Sequence, residues 1–340
     1  MQTVLFLCTS PLHSLWALGL SAGPYAGDRC VLWTYGGQDF IAEAARLRAD
    51  SPFAEVRMLA DAYRKNQHSS RGIRKALDDF RTGGCELAPD LIVVGNDRRK
   101  EFQALAHALP KTPVAYMDDG TGSYAPAPRR VGTANRWLRR MLRRMKYGFS
   151  CDLPDWKGAS VRVELAWVAF PEHVHAELAR KRVHAIDPAW LRRRPVIEIC
   201  GEAMRLAGLD PAALTQCEQL LVLPLEGQLD TIDGLRTRID SLVGQTLDYG
   251  GHLAIKRHPR STECSLAFPD RGMIVEVPQR LPLEVMVPLL DRIQVVGTLS
   301  TALIYLHWMN PRVRVTAIST TLAPDHPVLT LYRKLGIRFL

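Results

Sequence analysis

Short apolar runs alternate along this chain with longer stretches in which apolar residues return every three or four positions. Residues 3–8, 30–33, 91–94 and 114–117 are compact apolar runs, the pattern of strands buried on both faces of a sheet. Between them, residues 11–20 carry Leu12, Leu15, Trp16 and Leu18 at spacings that suit a buried helix, and 40–47 and 101–109 read as further helices. Residues 64–82 are polar and basic and predict a solvated helix or loop. The second half repeats the alternation. Strands are predicted at 220–223, 253–256, 273–275, 293–296 and 313–317, with a helix over 231–243. Strands separated by helices imply parallel, doubly wound sheets.

Two interruptions stand out. Residues 125–128 are Ala-Pro-Ala-Pro, and 184–195 lack periodicity and end in Arg192-Arg193-Arg194-Pro195, which predicts an interdomain link. The expected division is a domain at 1–185 and a second at 186–340, with the final segment 327–340 crossing back to the first. A length of 340 residues accommodates two such α/β domains. No internal repeat or low-complexity tract is present.

With 47% hydrophobic and 23% charged residues, the composition is that of a soluble globular enzyme. The seven cysteines (8, 30, 85, 151, 200, 217, 264) are scattered singly without a CxxC pair. That pattern argues against a disulfide framework or zinc cluster and for a reducing compartment. The opening run has no basic segment before it, and no apolar run approaches the ~18 residues of a membrane span, so a cytoplasmic location is expected.

A net charge of +9 implies an anionic partner: a phosphorylated ligand, an acidic glycan, a lipid surface or nucleic acid. Residues 129–146 concentrate eight Lys/Arg with no acid, and Trp137, Leu138, Met141, Leu142 and Met145 recur there at helical spacing. Such a helix either sets its apolar face on the core or lies on anionic lipid or acidic glycan.

Three stretches at predicted strand ends carry candidate chemistry, and carboxyl strand ends are where open α/β sheets bind ligands. Asp118-Asp119-Gly120 follows the strand at 114–117. Adjacent carboxylates point different ways, so one can act as a general base while the other caps the turn; the ordinary alternative is a plain Asp-Asp-Gly turn with Gly at positive φ. Lys256-Arg257-His258-Pro259 closes the strand at 253–256, and Pro259 disfavours helical backbone at His258. Gly297-Thr298-Leu299-Ser300-Thr301 precedes an apolar helix whose amino end offers amides and hydroxyls to a phosphate, or is simply capped. No GxGxxG or Walker lysine accompanies it. The other histidines, His13 among them, show no ligand spacing except His173 and His175, which alternate like strand neighbours. No metal site is expected.

In this order, the acidic pair with Gly, the His-Pro and the Ser/Thr pair resemble the motif set of bacterial sialyltransferases. That group includes the lipooligosaccharide sialyltransferases and capsular polysialyltransferases, and the opening Leu7-Cys8-Thr9-Ser10-Pro11-Leu12-His13 is similar to their first strand and turn. The resemblance implies a GT-B fold, two Rossmann-like domains facing across a cleft. It also implies inverting, metal-independent transfer of sialic acid from CMP-sialic acid to a surface glycan, with no cofactor. By position it implies Asp118 as general base with Asp119 as fallback, and His258, before Pro259, as general acid. Lys256, Ser300 and Thr301 would hold the phosphate, and Glu284 the CMP ribose. The pair at 300–301 is Ser-Thr where several relatives have Ser-Ser. Other CMP-ulosonic acids (Kdo, legionaminic, pseudaminic) share the CMP, and a GT-B enzyme using a nucleoside diphosphate-sugar remains open. The implied partners are a CMP-sugar donor, a glycan acceptor and, through 129–146, an anionic inner-membrane surface; nucleic acid is not expected.

Overall fold

The computed structural model describes the chain except residues 36, 60–68, 125–132, 152, 262–265, 267, 269–272, 292 and 319–326, and except the side chains of 133–136, 139, 230, 301, 327 and 328. The Ala-Pro-Ala-Pro segment therefore lies outside the described residues. The chain forms two units, Met1–Trp190 and Leu191–Leu340.

The first unit is a seven-stranded sheet of β1 (Thr3–Cys8), β2 (Arg29–Thr34), β3 (Phe53–Met58), β4 (Leu91–Val94), β5 (Val114–Met117), β6 (Val163–Val168) and β7 (Arg182–Ala185). Its order is β3-β2-β1-β4-β5-β6-β7, and every pairing is parallel. Val4 to Cys8 are all fully buried, which explains why this strand reads as a continuous apolar run. One face packs Leu5, Leu7, Trp33, Ile92, Val94 and Tyr116 into a common core. The order reverses between β1 and β4, the kind of switch point at whose carboxyl strand ends open α/β sheets bind ligands.

The second unit has six parallel strands: β8 (Gln219–Val222), β9 (Leu253–Lys256), β10 (Ile274–Val277), β11 (Gln294–Thr298), β12 (Arg314–Ile318) and β13 (Arg338–Phe339). Their order, β10-β9-β8-β11-β12-β13, repeats the winding of the first sheet. The helix Leu235–Asp248 buries Leu235, Ile239, Val243 and Leu247, four residues apart, against Leu221, Leu253, Ile255 and Val296.

Several expectations change. The division between the two units falls inside the predicted link at 184–195, which is structured: Arg182–Ala185 pairs with β6, and the short 3₁₀ turn Pro188–Arg192 follows. Trp190 packs edge-on to Trp167 and lies so close to Gly23 that a Cβ there would come within 2.4 Å of its ring, so the first unit runs to Trp190 and not 185. In the final segment, the helix Pro327–Lys334 leads into β13, which pairs with β12. Strands β3, β6 and β7 carry exposed polar residues, and β13 has only two residues, so none stands out as an apolar run.

Candidate active site

The two acids after β5 divide their work. Asp118 is fully buried. Its Oδ1 accepts from Gly120 N at 3.1 Å and Ser123 Oγ at 2.7 Å; its Oδ2 accepts from Ala169 N at 3.0 Å and from the Tyr124 hydroxyl. Four donors saturate this carboxylate, and it fastens the turn to the end of β6. Gly120 sits at φ +73°, where a side chain would be strained. Ser123 Oγ also receives hydrogen bonds from the Tyr116 hydroxyl at 3.0 Å and Asp119 N at 3.2 Å. The capping role is therefore filled by Asp118.

Asp119 retains 13% side-chain exposure and meets two partners. His13 Nε2 lies 2.9 Å from Oδ1, and the Lys157 ammonium pairs with Oδ2. Burial pushes the Asp119 carboxyl up, but the hydrogen bond from His13 and the charge of Lys157 outweigh it and hold the group below the usual carboxylate range. The His13 tautomer follows from the backbone: Thr9 N donates to Nδ1 at 3.2 Å, and Thr9 Oγ1 stands 3.0 Å from the same atom. Nδ1 is an acceptor, so Nε2 carries the hydrogen in the neutral ring. Gly95, just past β4, gives the imidazole its room: a Cβ there would come within 2.4 Å of the ring.

The loop bearing Lys157 is held from both sides. Asp97, fully buried beyond β4, accepts from Gly158 N at 3.0 Å and Ser160 N at 2.8 Å. Burial raises its carboxyl to about 6, with the backbone hydrogen bonds opposing. His175 caps the short helix Ala176–Ala179, with Nδ1 accepting from Leu178 N at 3.2 Å, and its Nε2 donates to Lys157 O at 2.9 Å. His173 closes a 3₁₀ turn, so the two histidines are not strand neighbours. Among the described residues, no group of three His, Cys, Asp or Glu side chains is placed to hold a metal ion.

In the second unit, Lys256 ends β9, but its ammonium is buried. It donates to the carbonyls of Arg257 (3.3 Å), Pro278 (3.1 Å) and Gln279 (2.6 Å), which uses all three of its protons. Burial lowers its pKa to about 8, with Glu284 pulling the other way. Glu284 lies in the turn Leu283–Met286, half-buried, and burial raises its pKa more than its own amide and Lys256 lower it. His258 follows the strand in non-helical backbone, half-buried. Arg260 N donates to its Nδ1 at 3.1 Å, which leaves Nε2 as the donor edge. Burial and the cations Arg260 and Lys256 hold its pKa below the ordinary value. Pro259 and Arg260 form the turn after it.

Ser300 is the N-cap of the helix Thr301–Met309, at φ −148°, and its hydroxyl accepts from Leu303 N at 3.4 Å. Tyr332 occupies its backbone: the phenol accepts from Ser300 N at 2.8 Å and donates to Ser300 O at 2.6 Å. The side chain of Thr301 lies outside the described residues. A cavity of about 300 Å³ lined by Ile197, Val287, Leu290, Met309 and Asn310 sits before β11 and β12, away from the strand ends that carry these side chains.

The structure thus places Asp118, Asp119 and Gly120 in one turn of the first unit. It places Lys256, His258, Pro259 and Glu284 together around the end of β9 in the second, with Ser300 at the end of β11. Lys157 and Asp97 escape the sequence reading, His13 enters it only within the opening segment 7–13, and His175 only for its spacing from His173.

No protein-family profile and no curated protein matches the chain. Solved structures do. An α/β-galactoside α-2,3-sialyltransferase from Photobacterium phosphoreum is 11% identical with a TM-score of 0.54, over 99% of this chain and 97% of that one. A UDP-GlcNAc 2-epimerase from Methanocaldococcus jannaschii is 12% identical with a TM-score of 0.54, over 100% and 89%. A spinosyn forosaminyltransferase is 15% identical with a TM-score of 0.50, over 100% and 85%. The two parallel-sheet, Rossmann-like units are those of the GT-B fold. Because that set joins transferases to an epimerase, the chemistry has to come from the side chains.

Proposed function

We propose that this protein is an inverting, metal-independent glycosyltransferase that moves a sialic acid from CMP-sialic acid to a hydroxyl of a bacterial surface glycan. The observation that carries this reading is the Asp119 carboxylate, accessible at a strand end and kept ionised by His13 and Lys157. It supplies a base at the position the motif order assigns to one. We assign that role to Asp119, because Asp118 is sealed under four donors. In the proposed step, Asp119 takes the proton of the acceptor hydroxyl while that oxygen bonds to the anomeric carbon. The bond from that carbon to the phosphate oxygen breaks with inversion, and CMP departs.

Charge grows on the departing phosphate, and a preorganised donor there lowers the barrier. His258, with Nε2 as its donor edge, takes this part by hydrogen bond or proton transfer. Ser300 adds a hydroxyl beside the amino end of its helix. Lys256 contributes long-range positive charge and shapes the 278–279 turn, since its protons are spent on carbonyls. Glu284 is the candidate for the CMP ribose, and no cofactor enters the step. Transfer would take place in the cytoplasm at the inner membrane; among the described residues no helix is long and apolar enough to cross a bilayer.

One observation favours a second reading. With Lys256 engaged, the anion site consists of His258, Ser300 and helix amides, a set that also suits the diphosphate of a nucleoside diphosphate-sugar. The deciding experiment measures nucleotide release from CMP-sialic acid, other CMP-ulosonates and UDP-, TDP- and GDP-sugars, with galactoside or sialoside acceptors, with and without EDTA. The proposal requires EDTA-resistant, acceptor-stimulated release from CMP-sialic acid. Release only from another CMP-ulosonate would move the donor within the class. Release only from a diphosphate donor would replace the proposal with the second reading.

A further inference from the structure

The helix Thr133–Tyr147 wears its apolar residues on the outside. Trp137, Leu138, Met141, Leu142 and Met145 are 64%, 51%, 44%, 55% and 68% exposed, which overturns the expectation that this face packs on the core. Their spacing sets them along one side of a helix roughly 22 Å long, while Arg140, Arg143, Arg144 and Lys146 fall on the other side. The stripe is held by its carboxyl end. The Arg74 guanidinium donates to Lys146 O at 3.2 Å and to Met145 O, and Arg140 Nε donates to Ser150 Oγ at 3.0 Å. Beyond it, Tyr147 packs with Phe149 on Ile73, Leu77, Ala104 and Cys151.

We infer that this helix is a docking surface for an anionic lipid bilayer, lying in the plane of the interface. Two properties must be satisfied together, an apolar stripe with a Trp at one end and a cation face without a single acid. A bilayer offers acyl chains to the first and anionic headgroups to the second, and long Arg side chains reach up to headgroups while their stems stay apolar. Nucleic acid or an acidic glycan would neutralise the arginines and leave the stripe in water. A second copy of the chain would cover the stripe but bring two sets of arginines together. The inference is independent of the donor chemistry.

The test is co-flotation of the full chain with vesicles of phosphatidylglycerol and phosphatidylcholine against pure phosphatidylcholine. Expected is binding to the anionic vesicles alone, reduced at least tenfold by W137S/L142S and, separately, by R140E/R143E/R144E, and retained by Trp137→Phe. Trp137, Leu142, Arg140 and Arg144 are exposed and Arg143 is half-buried, so the melting temperature of W137S/L142S should match wild type. As a measurement without a disruptive variant, brominated acyl chains should quench wild-type fluorescence more than that of Trp137→Phe. Equal binding to neutral vesicles, no binding at all, self-association that W137S/L142S abolishes, or binding to a soluble polyanion but not vesicles would each overturn the inference. Donor cleavage with a soluble acceptor reads out separately, so a failure here is distinct from a failure of the proposed reaction.

Discussion

His13 Nε2 donates to Asp119 Oδ1 across 2.9 Å, joining the turn after β1 to the turn after β5, 106 positions later. Both ring nitrogens are engaged, Nδ1 by Thr9 and Nε2 by Asp119, and the His13 side chain is 1% exposed. The imidazole orients the carboxylate that we propose as the base. A pair of titratable groups with divided roles is the usual construction of a general base.

That division separates the two acids experimentally. Asp119→Asn keeps the shape of the turn and removes the base, so kcat/KM should fall ~10²–10⁴-fold with Tm nearly unchanged. Asp118→Ala strands four donors, two of them backbone amides, at a cost of about 3–5 kcal/mol. At the size of this unit that is a fall in Tm of roughly 10 °C. Thermal melts beside donor-cleavage kinetics check both. A folded, fully active Asp119→Asn would refute the assignment.

Lys256 and His258, two residues apart, should also part company. Lys256→Met deprives three carbonyls of their donor and should lower Tm. His258→Ala removes a half-buried ring and should leave Tm within a few degrees while cutting kcat ~10²-fold. The His258 pKa is depressed by burial and by the cations Arg260 and Lys256, so the unfolded chain binds its proton more readily. The associated stability is present above the ordinary histidine pKa and is lost as pH falls through the folded value. CMP brings an anion to the ring and should raise that pKa. Nitrogen-15 histidine spectra titrated with and without CMP measure the shift, and no movement on binding would remove His258 from the phosphate site.

What the sequence disclosed and what it hid follow from the range of the interactions. Strands β1, β4, β5, β8 and β9 are buried on both faces, so each reads as an unbroken apolar run within a residue of its observed bounds. The turn residues Asp118, Gly120 and His258 announce themselves locally, since a positive φ or a following proline is a property of adjacent residues. The partition of work between Asp118 and Asp119 was not legible. It depends on Ala169 and Tyr124 closing over one acid and on His13 and Lys157 reaching the other, contacts between distant segments. Asp97 acts through backbone groups of the 157–160 loop and leaves no motif, and the alternation of His173 and His175 does not disclose that His175 caps Leu178 N and holds Lys157 O.

Asp97 offers a pH test of that loop. Its carboxyl is raised to about 6 by burial, whereas in the unfolded chain it titrates near 3.8. The native state therefore holds the proton longer. The linked stability is present at low pH and is lost as pH rises from about 4 through about 6. Asp97→Asn has no such titration, so the difference in Tm between wild type and variant should change across that window and flatten above it. Melts from pH 4 to 8 decide it. The variant also points an amide NH₂ at Gly158 N or Ser160 N, so activity should fall with the placement of Lys157.

With Asp119 as the proposed base, the charge of Lys157 should set the acid limb of the reaction. Burial raises the Asp119 carboxyl, and the His13 hydrogen bond and the charge of Lys157 bring it below the usual range. Lys157→Met deletes that charge and leaves the burial, so the Asp119 pKa must rise. The base works only when deprotonated. The acid limb of kcat/KM should therefore move to higher pH in the variant, while the alkaline limb stays in place. His13→Leu should move the same limb in the same direction, because it deletes the donor to Oδ1. A double variant should shift it further. If Asp119 is not the base, the limb will stay where it is in all three, and kcat/KM will drop by one common factor at every pH.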